Sequence, residues 1–491
     1  MENDETKRIE LVWPGKRDPG QLEVDAAPSL HVIERVPDPR VPGAIDIAWT
    51  NMLVRGDNLA TMHALLASFE GKIDLIYIDP PFATGTGFSA TLQVGNAGKS
   101  IDGHEKRGRI ESRAYDDTWK SGLGTYLQVM HDRLVLMHRL LSDKGMLYVH
   151  CDWRAVHYLK VMLDSIFGHS GGEREDAGFK SEIIWFHQVI GMPRTNPFYF
   201  PKQHETIIAY SKSRKDKIVF NARDKLLRKE FSESIKKAVK KDENGNTYYT
   251  RGRTGTKNDW AYDPKYLQTR VNLDDGVLVA DVWDEWKSYQ PRKDEKTGYP
   301  TQKPEQILER IIAASTNPGD LVADFFCGSG TTLAVAGRLG RRWIGCDSGQ
   351  LAIHATRKRL MRVDGCKPFE IMVVGGSTHV PAGEQANIVI IPRVDGNRIT
   401  VELAGFTPMT AENGAKVADW LDLVDYWAVD VDHQEGIFTN HWASFRTVQD
   451  RGLERVSGTF EYHSNGIHRI QVKVVDVEGC EFHVNVTHTT R

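Results

Sequence analysis

A short apolar run that ends in two prolines constrains the fold of this chain more than any other stretch. Residues 73–78 read Ile-Asp-Leu-Ile-Tyr-Ile, a pattern typical of a strand buried on both faces of a parallel sheet. Pro80 and Pro81 have no backbone N–H and a fixed φ, so the strand cannot continue past them. Ligands of open α/β sheets bind where such strands end. The run therefore predicts both a fold class and the position of a site.

The residues at this strand exit suit a planar ring that carries an amino group. Asp79 offers a carboxylate, Pro80 and Pro81 offer carbonyls in rigid geometry, and Phe82 offers an aromatic face. Carboxylate and carbonyl oxygens accept the N–H bonds of an amino group, and the ring stacks on the aromatic side chain. A plain strand followed by a proline-rich turn is the alternative interpretation, and four residues alone do not decide between the two.

A second unit, over residues 321–347, predicts a strand, a glycine loop, a helix and another strand. The loop reads Phe-Phe-Cys-Gly-Ser-Gly-Thr-Thr directly after Asp324. Asp347 ends the following strand, at about the 20-residue spacing of a nucleoside-binding acid. This layout is typical of a site for an adenosine group. A dinucleotide is the usual alternative, but the segment lacks a third glycine at the spacing of that motif.

Hydrophobic periodicity predicts the other elements of an α/β core. A strand that ends near Asp57, the helix 59–69 and the strand 73–79 form a tight crossover unit. Such a unit places Asp57 and Asp79 at the same edge of one sheet. Further predicted helices cover 126–141 and 155–167, with a strand at 146–149 and an antiparallel edge pair at 181–187 and 204–211.

Length and cysteine usage limit the class of protein. The 491 residues are enough for roughly two to four domains with a large core. We find no N-terminal apolar segment typical of a secretory signal, and no run of the ~18 apolar residues that cross a membrane. The five cysteines are scattered without Cys-x-x-Cys spacing, which predicts free thiols in a reducing cytoplasm and no metal site.

The net charge of −3 conceals an uneven distribution of charge along the chain. Residues 212–257 hold 15 basic and 6 acidic residues, whereas residues 367–491 hold 10 and 17. Tyrosine and tryptophan are interleaved with the basic residues, a composition that favours contact with nucleic acid. A solvated, lysine-rich insertion is the alternative interpretation. The acidic C-terminal part is a poor surface for a polyanion.

These patterns predict five segments. The order along the chain is an extended N-terminal arm (1–50), a first half of the core with the proline motif (51–211), a basic insertion (212–299), a second half with the glycine loop (300–365) and a C-terminal β-rich, sandwich-like module (366–491). Because the glycine loop and Asp347 precede the last module, we expect cofactor binding to survive removal of the chain from about residue 370.

The motifs in this order resemble the β-class amino-methyltransferases, and more narrowly the modification subunits of type III restriction systems. The resemblance covers residues 51–365 and implies a Rossmann-like sheet with a circularly permuted motif order, in which the catalytic motif precedes the cofactor motif. The matching segments are 55–58, 79–82, 115–119, 126–141, 204–205 with 210–212, 301–304 and 324–332.

The resemblance implies the role of each site residue. The catalytic group comprises Asp79, Pro80, Pro81 and Phe82. The group that binds S-adenosyl-L-methionine comprises Asp57, Thr301, Lys303, Asp324, Phe326, Cys327, Gly328, Ser329, Gly330, Thr331 and Asp347. Within it, Asp324 is expected to hold the amino group of the cofactor, Asp347 its ribose and Asp57 its adenine. Lys303 and Thr301 are expected near its carboxylate.

The implied activity is site-specific methylation of adenine N6 in a base flipped out of duplex DNA. In this family an Asp at position 79 favours adenine over cytosine, and N4-cytosine methylation is one alternative. A catalytically silent DNA-recognition subunit is the other. Implied partners are double-stranded DNA, a second copy of the chain and a helicase–nuclease restriction subunit, although a solitary enzyme would carry the same motifs. The expected location is the cytoplasm, at the nucleoid of a prokaryote or phage-infected cell.

Overall fold

The computed structural model describes most of the chain. The described residues are 10–13, 16–17, 28–38, 49–82, 87–94, 108–116, 122–168, 177–187, 200–214, 217–241, 245, 247–250, 268–270, 272–286, 288, 290–375, 386–408, 419–434 and 436–490. For 87–94, 108–116, 249–250 and 268–270 the description covers the backbone alone. Residues 117–119 of the methyltransferase-like segment, and the predicted DNA-contact aromatics Trp260 and Tyr262, lie outside these ranges.

The first half of the chain supplies the strands and helices that carry the proline motif. In order they are β1 (Leu30–Val36), β2 (Asn51–Arg55), α1 (Asn58–Phe69), β3 (Ile73–Ile78), β4 (Gly87–Val94), β5 (Gly108–Asp116), α2 (Leu123–Leu140), β6 (Leu141–Cys151), α3 (Val156–Phe167), β7 (Gly178–Phe186) and β8 (His204–Ser211). Strands β4 and β5 form a separate hairpin-like pair.

The insertion and the second half of the core follow. The insertion contains β9 (Arg228–Lys229), α4 (Glu233–Ala238), β10 (Lys240–Lys241), β11 (Thr247–Thr250), β12 (Gln268–Arg270), β13 (Val277–Leu278) and β14 (Val282–Trp283). The core resumes with α5 (Glu305–Ser315), β15 (Leu321–Asp324), α6 (Thr331–Arg338), β16 (Arg342–Asp347), α7 (Gln350–Arg362) and β17 (Phe369–Val374).

One large sheet organises the core, in the order β14-β7-β8-β6-β3-β15-β16-β2-β17-β1, with one further short strand beyond β1. The six strands from β6 to β17 are mutually parallel. Strand β8 runs antiparallel to both β6 and β7, as predicted for an edge pair. Because β3 and β15 are neighbours, the proline motif and the glycine loop leave the sheet side by side.

Helices cover both faces of this sheet. One apolar core contains buried residues of α1, α2 and α3, and a second contains those of α5, α6 and α7. The strand β3 is buried along its whole length, and Ile76 and Ile78 face the first core while Leu75 and Tyr77 face the second. This burial explains the continuous apolar run. The predicted Rossmann-like α/β class is confirmed.

The C-terminal part forms two further antiparallel sheets. Its strands are β18 (Ala386–Asp395), β19 (Arg398–Pro408), β20 (Val424–Asp430), β21 (Phe438–Thr439), β22 (Trp442–Phe445), β23 (Phe460–Glu461), β24 (Gly466–Asp476) and β25 (Glu481–Thr490). The sheets have the orders β18-β19-β23 and β22-β20-β24-β25, and residues of both line one apolar core. This arrangement is the expected sandwich-like module.

Two predicted boundaries need correction, because the large sheet extends past them. Strand β17 lies beyond the predicted boundary at residue 366, yet it pairs in parallel with β2 of the large sheet. Strand β1, within the predicted extended arm, pairs antiparallel with β17. Strand β21 of the C-terminal module pairs with β1 as the last strand of the same sheet. The arm and the module are therefore continuous with the core.

A buried cluster of charges joins the module to the core. Arg357 of α7 contacts Glu34 of β1 and Glu481 of β25, at 2.9 Å in each case, and is fully buried. Lys473 of β24 contacts Glu34 from the other side, at 2.5 Å. Charges buried this deeply are tolerated when they are paired. We call Glu34, Arg357, Lys473 and Glu481 the junction cluster.

One member of the junction cluster, Arg357, lies on α7, and this helix also supports the glycine loop. On α7, Thr356 donates a hydrogen bond to the carbonyl of Gly328, and Arg359 donates to Thr331 Oγ1. The expectation that cofactor binding survives truncation from about residue 370 conflicts with this arrangement. Such a truncation removes part of β17 and all partners of Arg357 that the C-terminal module supplies.

None of the helices in the described part of the chain is both long and apolar enough to cross a membrane.

Candidate active site

The two predicted motifs open into one cavity at the carboxyl ends of the parallel strands. The cavity has a volume of about 640 Å³, within the usual range for sites of small molecules and cofactors. Of the residues predicted for the site, every one except Gly330 lines it. These are Asp57, Asp79, Pro80, Pro81, Phe82, Thr301, Lys303, Asp324, Phe326, Cys327, Gly328, Ser329, Thr331 and Asp347.

The proline motif forms one end of the cavity. The carboxylate of Asp79 contacts the ammonium of Lys303, with 2.9 Å between Oδ2 and Nζ. The same ammonium lies 5.0 Å from the centre of the Phe82 ring, a cation–π distance. The ammonium thus contacts the proline motif, and the implied place of Lys303 near a cofactor carboxylate stays a prediction. The cause of this contact is electrostatic, because a buried lysine is held where anions are nearest.

A second carboxylate stands behind this pair. Glu205, near the start of β8, lies 3.4 Å from Lys303 Nζ and 2.8 Å from Nε2 of His150. His150 in turn shares a 2.8 Å hydrogen bond with the hydroxyl of Tyr77. Although burial opposes ionisation, Lys303 and His150 hold the pKa of Glu205 well below its ordinary value. Glu205 is therefore an anion at neutral pH.

The glycine loop forms a second part of the cavity wall, beside the proline motif. Gly330 has φ of 72°, in the left-handed region, and caps the N-terminus of α6. A Cβ at this position would lie 2.7 Å from the side chain of Thr356, so both the backbone and the space require glycine. Gly330 acts through the shape of the loop, which explains why it does not itself line the cavity.

Two buried acids flank this loop and receive hydrogen bonds from neutral donors. Asp324 accepts from the backbone N–H of Phe326 (3.0 Å) and from the hydroxyl of Thr332 (2.5 Å). Asp347 accepts from the N–H groups of Gly328 (2.9 Å) and Gly349 (2.8 Å). Burial raises the pKa of Asp324 to about 7, and it also raises the pKa of Asp347 above its ordinary value.

Asp57 lies at the mouth of the cavity, where β2 gives way to α1. One carboxylate oxygen caps α1 by accepting from the N–H of Ala60 (3.0 Å), and the other accepts from Arg133 of α2 (2.9 Å). The adjacent residue Asn58 donates a hydrogen bond to the carbonyl of Phe325 (2.8 Å), which directly follows β15. These contacts fix an acid that is still more than half exposed to the cavity.

The segment before α5 closes one side of the cavity with a strained backbone. Thr301 has φ of 57°, in the left-handed region that non-glycine residues seldom adopt. A Cβ on Gly328 would lie 3.4 Å from the ring of Tyr299, so this segment packs directly over the glycine loop. Strain of this kind is found where a ligand site imposes a particular backbone path.

Cys327 is a small buried side chain within the loop. Burial raises the pKa of its thiol well above the ordinary value, so the thiolate that would act as a nucleophile is disfavoured. The side chain therefore fills space in the loop, as the sequence suggested.

Sequence reasoning missed several residues of the site. Tyr77 and Arg133 fall within a predicted apolar strand and a predicted amphipathic helix, His150 directly follows the predicted strand 146–149, and Glu205 takes a polar position of a predicted edge strand. A signal is present for Glu205, because it directly follows a histidine and is the one acid of the stretch 205–211, which is otherwise uncharged. A charge in a strand that is buried almost throughout requires a partner.

Comparison with known proteins identifies the family. The profile of the N6/N4 DNA methylase family matches residues 73–358, which include both motifs of the cavity. The type II methyltransferase M.EcaI of Enterobacter cloacae is 30% identical over 347 residues, covering 63% of this chain and 69% of the relative. The DNA adenine methyltransferase YhdJ of Escherichia coli (strain K12) is 26% identical over 311 residues, covering 63% and 82%.

Solved structures of similar chains include the M1.HpyAVI–SAM complex, with 20% identity and a TM-score of 0.36 over 63% of this chain and 98% of that one. The PvuII DNA methyltransferase, described as cytosine-N4-specific, has 18% identity and a TM-score of 0.36 over 63% and 86%. The family profile covers more than half of the sequence, and it includes the proline motif and the glycine loop that share the cavity. This chain belongs to the N6/N4 DNA methylase family.

Proposed function

We propose that this protein transfers a methyl group from S-adenosyl-L-methionine to N6 of an adenine flipped out of duplex DNA. One observation carries the proposal: the motif Asp79–Phe82 and the acids Asp324 and Asp347 line a single cavity of about 640 Å³. The first set suits a base with an exocyclic amino group, and the second suits an amino-acid group and a ribose. The family match supports methyl transfer to DNA.

The residues around the glycine loop fit the proposed cofactor. Asp324 has only neutral donors among its hydrogen-bond partners described above, so a cationic amino group would complete its pairing. Asp347 lies at the end of β16, where an acid binds ribose hydroxyls in this type of fold. Asp57 lies at the cavity mouth, within the part assigned to the adenine ring. When bound, S-adenosyl-L-methionine supplies an electrophilic methyl group on a sulfonium.

The proline motif binds and orients the nucleophile. The carboxylate of Asp79 and the carbonyl of Pro80 accept the two N–H bonds of the target amino group, and Phe82 stacks on the base. Hydrogen bonding in this geometry turns the nitrogen lone pair out of conjugation with the ring. Asp79 also stabilises the positive charge that develops on the nitrogen as its bond to carbon forms. The rate then depends mainly on alignment.

Adenine is the favoured target for two reasons. Position 79 is Asp, which favours adenine in the resemblance, and one relative is named a DNA adenine methyltransferase. Cytosine N4 is the second candidate, because the same acceptor pair would suit its amino group. DNA methylated by the purified protein and hydrolysed to nucleosides will give N6-methyladenine by mass spectrometry if the proposal holds. N4-methylcytosine in its place would refute the choice of base.

The proposed target-recognition region is residues 212–299. In the part of this region that the structure describes, Lys237, Lys240 and Lys241 are exposed on or next to α4. Exposed lysines near the end of a polar helix suit the phosphate backbone of DNA, which supplies most of the non-specific affinity.

Transfer of labelled methyl groups to DNA of mixed sequence separates this enzyme from a silent recognition subunit, for which no label would enter the DNA.

Association with other chains completes the proposal. The likeness to type III modification subunits suggests a homodimer and a helicase–nuclease partner, acting at the nucleoid of a prokaryotic cytoplasm. Light scattering measures the first, and co-purification from cells that carry the neighbouring genes measures the second. A monomer that is fully active without a partner would indicate a solitary methyltransferase instead.

A further inference from the structure

Two carboxylates in the cavity wall share one lysine. Lys303 Nζ lies 2.9 Å from Asp79 and 3.4 Å from Glu205. The side chains of Lys303 and Glu205 are 6% and 9% exposed, so neither charge has much contact with solvent. Asp79, at 19%, is the more open of the two acids and faces the cavity. The sharing is therefore asymmetric, with one acid accessible to a ligand and one enclosed.

The enclosed acid is held in place from the opposite side. His150, which is fully buried, presents Nε2 to Glu205 at 2.8 Å while Nδ1 pairs with the hydroxyl of Tyr77. When Tyr77 donates to Nδ1, the Nε2 atom carries the ring hydrogen, and it lies 2.8 Å from Oε2 of Glu205. Glu205 also sits on β8, between β6 and β7 in the sheet. Its carboxylate is thus fixed, whether or not a ligand enters.

The proposed reaction brings a second donor to Asp79. Lys303 contacts Oδ2 of this carboxylate, and the target amino group needs an acceptor on the same carboxylate. If that group replaces the ammonium, Lys303 loses its contact with Asp79 inside a poorly hydrated pocket. An ammonium buried without an anion is strongly unfavourable, and the exchange would oppose binding of the base.

We propose that Glu205 is a positioning residue that retains Lys303 when the target amino group takes over Asp79. This inference rests on the proposed function, because it assigns the arriving group to a base. Lys303 needs to move little, since its ammonium already lies within 3.4 Å of Glu205. Glu205 thereby keeps the lysine ionised and paired in both states, and it frees the carboxylate of Asp79 for the nucleophile.

The first test is Glu205→Gln, which keeps the size of the side chain and removes its charge. Lys303 would then stay on Asp79, so we expect kcat for methyl transfer to fall by about a hundredfold, as for a misplaced catalytic group. Cofactor affinity, measured by calorimetry, should stay within twofold, because the glycine loop is unchanged. The matched control is Glu182→Gln on the neighbouring strand β7, an exposed position, which should leave both values unchanged. A normal kcat in Glu205→Gln would overturn the proposal.

A double-variant comparison shows whether Glu205 acts through the lysine. Glu205→Gln is introduced into a Lys303→Met background, where there is no ammonium to retain. The second substitution should then change kcat by less than twofold, although each alone reduces it. Effects that multiply instead would show that the two residues act separately. That result would overturn the proposal and leave Glu205 as a structural ion pair.

The sharing of the lysine is also measurable without turnover, which separates this inference from the proposed function. In urea denaturation of the ligand-free protein, Glu205→Gln should lower the unfolding midpoint in the wild-type background. It should raise the midpoint in the Lys303→Met background, where Glu205 is a buried acid that has lost its ammonium. A wild-type protein that methylates no DNA would refute the proposed function. Equal effects of Glu205→Gln in the two backgrounds would refute the sharing.

Discussion

The two buried acids beside the glycine loop, Asp324 and Asp347, and the buried acids of the junction cluster are treated in opposite ways by their surroundings. Asp324 is held by an N–H and a hydroxyl, and burial raises the pKa of its carboxyl to about 7. Glu34 and Glu481 are equally buried, but the guanidinium of Arg357 and the ammonium of Lys473 hold the pKa of both below the ordinary value. The acids are buried to a similar extent in the two regions, but the groups that contact their carboxylates differ.

The difference shows which buried acids already have their cationic partners within the chain. An acid that is paired with arginine and lysine is electrostatically complete, and it contributes to the assembly of the fold. An acid that is held only by neutral donors retains a demand for positive charge, which a ligand can satisfy. The contrast therefore distinguishes the acids beside the glycine loop from those of the junction cluster on electrostatic grounds, independently of the sequence motifs. The following predictions test it, beginning with the largest expected effect.

Asp79→Ala should abolish catalysis and leave the cofactor end of the cavity intact. We expect methyl transfer to fall by roughly a thousandfold, within the range for loss of a group that acts on the reacting atom. Cofactor affinity by calorimetry should change less than twofold, since Asp79 belongs to the proline motif and not to the glycine loop that is assigned to the cofactor. Gly330→Ala is the comparison, because the added Cβ would collide with Thr356 and distort the loop. Equal losses of affinity in both variants would contradict the division of the cavity.

Arg357→Met should destabilise the protein by about 3–5 kcal/mol, the usual cost of leaving buried charges without their partner. Glu34 and Glu481 would both lose their guanidinium, so the junction between core and C-terminal module would weaken. Urea denaturation gives the free energy of unfolding. Arg398→Met is the matched control, because its ion pair with Glu461 is exposed and should contribute nothing measurable. Equal stability of the two variants would remove the distinction between the regions.

Cofactor affinity should rise with pH up to about 7 and then become constant. The carboxyl of Asp324 has a pKa of about 7 in the free protein, and a cationic amino group binds its ionised form. Below pH 7, binding must therefore release a proton, and affinity should increase by at most about tenfold per pH unit. Calorimetry in buffers of different ionisation enthalpy measures the released proton. Asp324→Asn should bind weakly at every pH, and a slope that persists in this variant would refute the assignment.

The stability of the ligand-free protein should respond to pH with opposite signs in the two regions. Asp324 has a raised pKa, so its contribution is present at low pH and is lost as pH rises from about 4 towards 7. Glu34 and Glu481 have lowered pKa values, so their contributions are present at neutral pH and are lost on acidification. Asp324→Asn should flatten the first trend without changing the second, as urea midpoints measured across the pH range would show.

The smallest predicted effect lies outside both regions, on the exposed lysines of the insertion. Replacing Lys240 and Lys241 by glutamine should weaken binding to duplex DNA of any sequence. It should also reduce the slope of log K against log salt by about 2, since each phosphate contact contributes about 0.9. Titrations by fluorescence anisotropy at several salt concentrations measure the slope. An unchanged slope would place the DNA elsewhere on the protein.

The parts of the fold that could be predicted from sequence are those with local signals. The predicted strand at 321–324 coincides with β15, because a short apolar run between a turn and a glycine loop has few other conformations. The exit of β3 was equally clear, since two consecutive prolines end a strand. The cavity residues followed from these two strands, because parallel neighbours bring their carboxyl ends together.

The parts that were missed depend on pairing between distant segments. Strand β17 is buried on one face only, in alternation, so its sequence resembles the strands of the following sandwich. Its partners β2 and β1 lie more than 300 residues earlier, and no local pattern specifies them. The contact of Lys303 with Glu205 was missed for the same reason. Each residue type was visible, but the choice of partner is made by the tertiary structure.

The position of Glu34 has a consequence for synthesis of the protein. A ribosome produces this acid long before Lys473 and Glu481, which pair with it directly or through Arg357. Strand β1 likewise docks on β17 and β21, both translated much later. The nascent chain can build the parallel centre of its sheet first, but the outer edge must stay open until β21, β24 and β25 have been translated. Strand β1 is thus made long before the segments that complete its pairing.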